Sequence, residues 1–388
     1  MKDVVFYDLD SPEVAAFEAE LDQTLNASDV PHASDIQKNV PIYDGIAVRP
    51  LLSEPETRRA LLIEWAHVLG KLSGVIIIRG VYDDLSVIDR ATDVFNAIIA
   101  RQKDGAEGGG DHFAASGAND RIWNSLQKLA EADPEVFALY HGRPEIDGAA
   151  EAWLGPGYQI TAQVNLVRPG GAAQSAHRDY HLGFMGADQA VRYPAHAHHL
   201  STGLTLQGGI AHVDAPIEAG PTKFLPFSQA YGPGYLASGL GLFTDLFEDR
   251  CIQLPLAKGD AMFFSPALFH AAGANHSNDV ARLVNLLQIS SGFGRAMESV
   301  DRTAVSRAVF PVLRRMKDEG RMTPAELRAA VAASAEGYAF PTNLDTDPPV
   351  GGLAPETQAE LLQRALDTGM NDQQFAEALA AQGLRRDA

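Results

Sequence analysis

Residues 158–167 place the tightest constraint on the fold. Ile160, Ala162, Val164 and Leu166 alternate with Thr161, Gln163 and Asn165. Side chains leave opposite faces of a strand with period two, so this segment is a strand with one apolar and one polar face. A sheet of such strands buries one face in a core and leaves the other facing solvent or a cavity. Further short strands fit 204–213, 223–226, 252–256, 260–265 and 283–289, punctuated by Gly and Pro. Many short strands at this spacing predict a β-sandwich or jelly roll. Upstream, the β-branched run within 73–81 is bounded by glycines and reads as a buried strand.

Helices frame this centre. Apolar residues recur at helical spacing over 12–25, with Ser11 and Pro12 as start signals, and helices are expected over 53–72, 84–102, 122–142 and 145–153. Between them, 30–50 is rich in Pro and Asp and reads as irregular. The Gly-rich stretch 104–110, followed by His112 and Phe113, reads as a surface loop. After about Phe293 the chain is Ala/Leu/Glu-rich, and helices are expected over 296–319, 323–335 and 355–383, with Thr323-Pro324-Ala325-Glu326 as a capping box. The expected fold is therefore mainly β with flanking helices and a C-terminal helical extension. Its expected units are an N-terminal extension (1–55), a β-domain (56–294) and a helical tail (295–388). That tail either packs on the β-domain or forms a homo-oligomer interface.

Charge narrows the partners. With 31 Lys and Arg against 50 Asp and Glu, the net charge is −19. Such a surface repels nucleic acid and anionic membranes but does not exclude a small anionic substrate, because a local pocket can be basic on an acidic protein. The single cysteine, Cys251, excludes an intramolecular disulfide and a cysteine-based zinc site. No apolar run approaches the ~20 residues of a membrane span, and the first residues lack the pattern of a signal peptide. A cytoplasmic protein is expected.

The chemistry concentrates in Gln174-Ser175-Ala176-His177-Arg178-Asp179-Tyr180. If extended, it puts His177 and Asp179 on one face, two of the three ligands of a facial metal triad. Eight of the twelve histidines lie between His177 and His276. His196, His198, His199 and His212 read as packed or solvated side chains. His181, like Tyr180, Arg178 and Arg121, is a candidate to face a substrate. His270 is distinct. It follows the Gly259-Asp260 turn and an apolar strand, and Asn275, Ser277 and Arg282 come after it.

This set resembles the phytanoyl-CoA dioxygenase family. His177-x-Asp179, the distant His270 and then Arg282 match its metal and cosubstrate motifs. Residues 74–81 resemble its opening strand. Ala219-Gly220-Pro221-Thr222-Lys223-Phe224-Leu225-Pro226-Phe227-Ser228-Gln229 resembles its Asn-Gly-Ala-Thr-x-x-x-Pro-Gly-Ser-His segment, with Phe227 and Gln229 as departures. Together the matching segments span about 56–294. The resemblance implies a double-stranded β-helix (cupin-like jelly roll) and an iron(II)- and 2-oxoglutarate-dependent dioxygenase. It implies His177, Asp179 and His270 as iron ligands, Arg282 on the far carboxylate of 2-oxoglutarate, and Gln174 and Thr222 beside the same cosubstrate. Asn165 and Gln163 are weaker candidates. Dioxygen would be the oxidant, with succinate and carbon dioxide released. Halogenases of related fold replace the acid with a small residue. Asp179 therefore implies hydroxylation, desaturation or a similar oxidation. Two readings compete: a jelly-roll metal enzyme that does not use 2-oxoglutarate, and a non-enzymatic jelly-roll binding protein. Acyl-CoA follows from the family name, but an acidic chain without a basic tract gives coenzyme A little support.

Overall fold

The computed structural model describes residues 4–105 and 119–386. Most of the expected 104–110 loop, with His112 and Phe113, lies outside them.

Ten strands organise the middle of the chain: β1 (Asp35–Gln37), β2 (Val40–Asp44), β3 (Val75–Arg79), β4 (Asn119–Ile122), β5 (Gln159–Val167), β6 (Thr205–Ala211), β7 (Lys223–Phe224), β8 (Ala261–Phe264), β9 (His270–Ala271) and β10 (Arg282–Ser290). Eight of them form one sheet in the order β1-β2-β3-β8-β6-β10-β5-β4. Among the described residues only β2 and β3 pair in parallel; the other pairings are antiparallel. The second sheet is small. β7 pairs with β9, and single bridges extend it from His270 to His177 on one side and from Phe224 to Ile252 on the other.

Alternation divides the large sheet as expected. Ile76, Ile78, Ile160, Ala162, Val164, Leu206 and Leu287 face a core shared with the helices. From the opposite face, Val75, Ile77, Met262 and Phe264 join Phe224 of the smaller sheet and Leu268 of the turn before β9 in a second core. The helical layer includes Pro55–Lys71, Ser86–Lys103, Ser125–Ala132, Pro134–His141 and Pro144–Leu154. The tail helix Arg302–Asp318 joins it, burying Val309, Phe310 and Leu313 among the same residues. Phe310 stacks on Phe375 of the last helix, Asp372–Arg386, with ring centroids 4.1 Å apart.

The fold is not mainly β: helix takes 47% of the chain and strand 15%. One sheet is covered by a thick helical layer, and the other shrinks to a few bridged residues. The 252–256 segment accordingly contributes only the Ile252 and Leu256 bridges. Residues 30–50 are ordered and not irregular, forming β1, β2 and the helix Gly45–Ser53, whose N-terminus Asp44 caps by accepting from the backbone N–H of Ile46 and Ala47. The prolines of this stretch suggested a break, but Pro41 faces only β1, because pairing with β3 begins at Ile42. Residues 355–383 form two helices, Gln358–Thr368 and Asp372–Arg386, because Gly369 takes a left-handed conformation (φ 69°) that ends the first. The first helix is Val14–Leu21, starting later than Ser11. The His196–His199 cluster rides on a helix, Ala195–Gly203, where His198 is buried with Nε2 3.1 Å from the Ala190 carbonyl.

Candidate active site

Between the two sheets lies a cavity of about 570 Å³. One wall is the polar face of the large sheet. Arg282, Val284, Leu286 and Gln288 line it at intervals of two along β10, with Gln163 and Asn165 from β5 and Gln207 from β6. The facing wall comes from the smaller sheet.

There the backbone brings His177 and His270 together. The two residues exchange hydrogen bonds, His177 N to His270 O at 3.1 Å and His270 N to His177 O at 3.2 Å. Asp179 N donates to Pro266 O at 3.0 Å and extends the pairing. Period two then sends His177 and Asp179 to one side and Arg178 to the other. The possible ligand atoms of His177, Asp179 and His270 lie within 4.8 Å of one another. Asp179 Oδ1 is 3.7 Å from His177 Nε2, and its Oδ2 is 3.4 Å from His270 Nε2.

Each imidazole is set by its other nitrogen. His177 Nδ1 lies 2.8 Å from Ser175 O, and His270 Nδ1 lies 2.8 Å from Leu268 O. A carbonyl can only accept, so each Nδ1 carries the proton and each Nε2 lone pair faces the cluster. Burial, then the neighbouring His270, lowers the His177 pKa and favours the neutral ring. Burial raises the Asp179 pKa, but its close contacts with His270 and His177 and the hydrogen bond from Gln207 outweigh it and bring it down to about 2. Two neutral imidazoles and an ionised carboxylate form a donor set suited to a divalent metal such as iron(II).

Arg282 lies at one end of the β10 row. It is buried, and Nη1 donates to Ala219 O and Gly273 O at 3.2 and 3.3 Å. Among the described residues no carboxylate pairs with it. Burial lowers its pKa to about 10, so it remains a cation at neutral pH. A buried guanidinium with only neutral acceptors suits an anion entering from the cavity. Thr222 and Gln174 line the same cavity. Gln174 is partly committed, since its Oε1 accepts from Ala272 N at 3.2 Å.

Arg121 and Tyr180 also line the cavity. The Arg121 guanidinium lies 5.4 Å from the centre of the Trp123 ring. Tyr180 and His181 both have positive φ, 67° and 46°, unusual for residues other than glycine, so the turn after Asp179 is strained. That turn aims Tyr180 into the cavity. His181 is not among the cavity-lining residues. Arg178 points away from it. Its Nη2 donates to Ser228 O and Tyr231 O, and its guanidinium lies over the Tyr235 and Phe269 rings.

Several cavity residues escaped the sequence reading. Gln207 Nε2 donates to Asp179 Oδ2 at 2.6 Å. Strand alternation signals both Gln207 and Gln288, each polar between apolar or small neighbours. Trp123, Phe184 and Met297 carry no such signal, because Trp123 and Met297 reach the cavity from a turn and a bend and Phe184 from the end of a short 3-10 helix, His181–Phe184. Gln207→Leu is expected to weaken iron(II) affinity by about 10–100-fold, the usual loss when a ligand's supporting hydrogen bond is removed. Equilibrium dialysis of the variant checks this, and unchanged affinity would rule out a supporting role.

A family model described as Phytanoyl-CoA dioxygenase (PhyH) matches residues 71–283. No curated protein matches the chain. Among solved structures, it is similar to the non-heme alpha ketoglutarate dependent epimerase SnoN from nogalamycin biosynthesis. Identity is 20% and the TM-score 0.41, over 60% of this chain and 84% of that one. A second structure of SnoN, in complex with Fe3+, alpha ketoglutarate and nogalamycin RO, has the same identity and TM-score. AviO1 from Streptomyces viridochromogenes Tue57 is 18% identical, with a TM-score of 0.42, over 61% of this chain and 96% of that one.

Proposed function

Because the chain belongs to the phytanoyl-CoA dioxygenase family, whose model matches more than half of it, we propose that it is an iron(II)- and 2-oxoglutarate-dependent dioxygenase that hydroxylates a small-molecule metabolite. The observation that carries this reading is the His177–Asp179–His270 cluster opening onto the same cavity as the buried, carboxylate-free Arg282.

In this reading His177 Nε2, His270 Nε2 and the Asp179 carboxylate hold the metal. The carbonyls of Ser175 and Leu268 keep both imidazoles in the ligating tautomer. Gln207 keeps the carboxylate turned toward them. Arg282 grips the far carboxylate of 2-oxoglutarate, with Thr222 and Gln174 alongside. Iron(II) and 2-oxoglutarate supply the activation of dioxygen, which leaves succinate and carbon dioxide as co-products of substrate oxidation. Asp179 occupies the position that halogenases of related fold leave for halide, which speaks for hydroxylation, desaturation or a similar oxidation and against halogenation. Tyr180 and Arg121 face the bound substrate. Among the described residues no helix is long and apolar enough to cross a membrane.

The test is oxygen consumption and succinate formation by the purified protein with iron(II), with and without 2-oxoglutarate. Turnover that ignored 2-oxoglutarate would sink the proposal. His276→Ala is expected to keep full metal binding, because His276 stands outside the cluster; loss of iron in that variant would mean the ligand set is wrong.

A further inference from the structure

We propose that the substrate is a hydroxyl-bearing ring compound with at most one negative charge, and that Gln207 and Gln288 orient it by accepting hydrogen bonds from its hydroxyls. This rests on the oxygenase reading above and names the substrate class for the same cavity.

The two glutamines are register partners on neighbouring strands, β6 and β10. Both line the cavity, and they are only 4% and 7% exposed. The Gln207 amide has a fixed orientation, because its Nε2 donates to the acceptor-only carboxylate of Asp179. Its Oε1 is therefore the group left over. Among the described residues that oxygen has no hydrogen-bond partner, and neither has Gln288 Oε1. A third cavity-lining amide oxygen, Asn165 Oδ1, is in the same condition. A buried acceptor left unpaired is destabilising. Three in one cavity describe a surface completed by a donor-bearing ligand.

Charge decides which donors fit. Among the described lining residues Asp179 is the only carboxylate, and it belongs to the metal cluster, so nothing remains to pair with an ammonium. There is no lysine among them, and besides Arg282, assigned to 2-oxoglutarate, Arg121 is the one other arginine of the described lining. The several phosphate charges of a coenzyme A thioester exceed what that lining neutralises. Hydroxyls are neutral donors and need no counter-charge.

The aromatic side chains supply the ring preference. Trp123, Tyr180 and Phe184 line the cavity, and the Tyr180 and Phe184 rings are 5.4 Å apart. Met297 ties this group to the amides: its sulfur accepts from Tyr180 Oη at 3.1 Å and from Gln163 Nε2 at 3.4 Å. Ring faces beside amide acceptors match a molecule with an apolar face and a polar rim. Since Gln207 is bonded directly to Asp179, a hydroxyl held by Gln207 lies beside the metal cluster. The oxidised carbon is then the one bearing that hydroxyl or its neighbour.

The test follows succinate formation by the full chain with iron(II) and 2-oxoglutarate. The probes are neutral methyl glycosides and hydroxylated polycyclic phenols, each paired with its deoxy or O-methyl counterpart, alongside acyl-CoA thioesters and free amino acids. Succinate formed without any probe reports on the oxygenase reading alone; its absence, with no stimulation by any probe, overturns that reading and this proposal together. With it present, the expected result is stimulation by hydroxylated rings about tenfold or more above their counterparts, because a site built to bond hydroxyls rejects the analogue that lacks them. The responding arm tells a sugar rim from a phenolic one. Stimulation confined to acyl-CoA or amino acids, by no probe at all, or without preference for the hydroxylated partner overturns the proposal. In Gln288→Leu the preference is expected to shrink to about twofold, mainly through KM, whereas Gln288→Glu retains an acceptor and the preference. An undiminished preference in a folded Gln288→Leu protein counts against the role of Gln288.

Discussion

Asp179→Ala is expected to abolish iron(II) binding and 2-oxoglutarate turnover while leaving the fold intact. Asp179 is the only anionic member of the cluster. Removing it leaves two neutral imidazoles to hold a dication, so the loss should exceed the roughly 10–100-fold that follows loss of a mere supporting hydrogen bond. Folding should survive, because the backbone of this segment is held by the His177–His270 exchange and by the Asp179 N to Pro266 O bond, which an alanine keeps. His177→Ala and His270→Ala should behave alike. The checks are iron content after dialysis, succinate formation, and circular dichroism for the fold. Activity retained by any one of these three variants would remove that residue from the ligand set.

Arg282→Met carries the second large effect. The apparent 2-oxoglutarate requirement should rise by about 10–100-fold, from losing a charge-assisted bond worth roughly 1.5–3 kcal/mol. Stability without the cosubstrate should change little. The arginine's own burial is unfavourable, as its depressed pKa shows, and no carboxylate among the described residues would be orphaned. Against that gain stand the Ala219 and Gly273 carbonyls, each of which loses a donor. A structural cation would behave in the opposite way, losing stability with the 2-oxoglutarate requirement unchanged. Thermal unfolding with and without 2-oxoglutarate separates the two. Wild type should gain melting temperature through preferential binding to the folded state, and the variant should not.

Much of the site was legible because strand alternation is a local rule. It put His177 and Asp179 on one face and opposed them to Arg178, whose side chain was nonetheless a substrate candidate until the structure showed it packed against Tyr235 and Phe269. Gln207 and Gln288 follow from the same rule once their strands are placed. Trp123, Phe184 and Met297 do not, because segments without periodicity carry no sign of which way a side chain turns. The ordered β1 and β2 were hidden by prolines that turn out to sit where no pairing is lost.

What the sequence determined by itself was the set of parts: a strand with one polar face, a histidine and an acid two apart, a second histidine and an arginine far along, and long amphipathic helices. Local geometry and side-chain chemistry suffice for these. Only the tertiary structure decided the balance of the fold, since helical cover over a sheet depends on packing between distant segments. It alone gave the second sheet its few bridges, closed His270 onto His177 across more than ninety residues, and left Arg282 without a carboxylate, and three amide oxygens without a hydrogen-bond partner, among the described residues. Whether a polar group is satisfied depends on everything around it, which no single stretch of sequence contains.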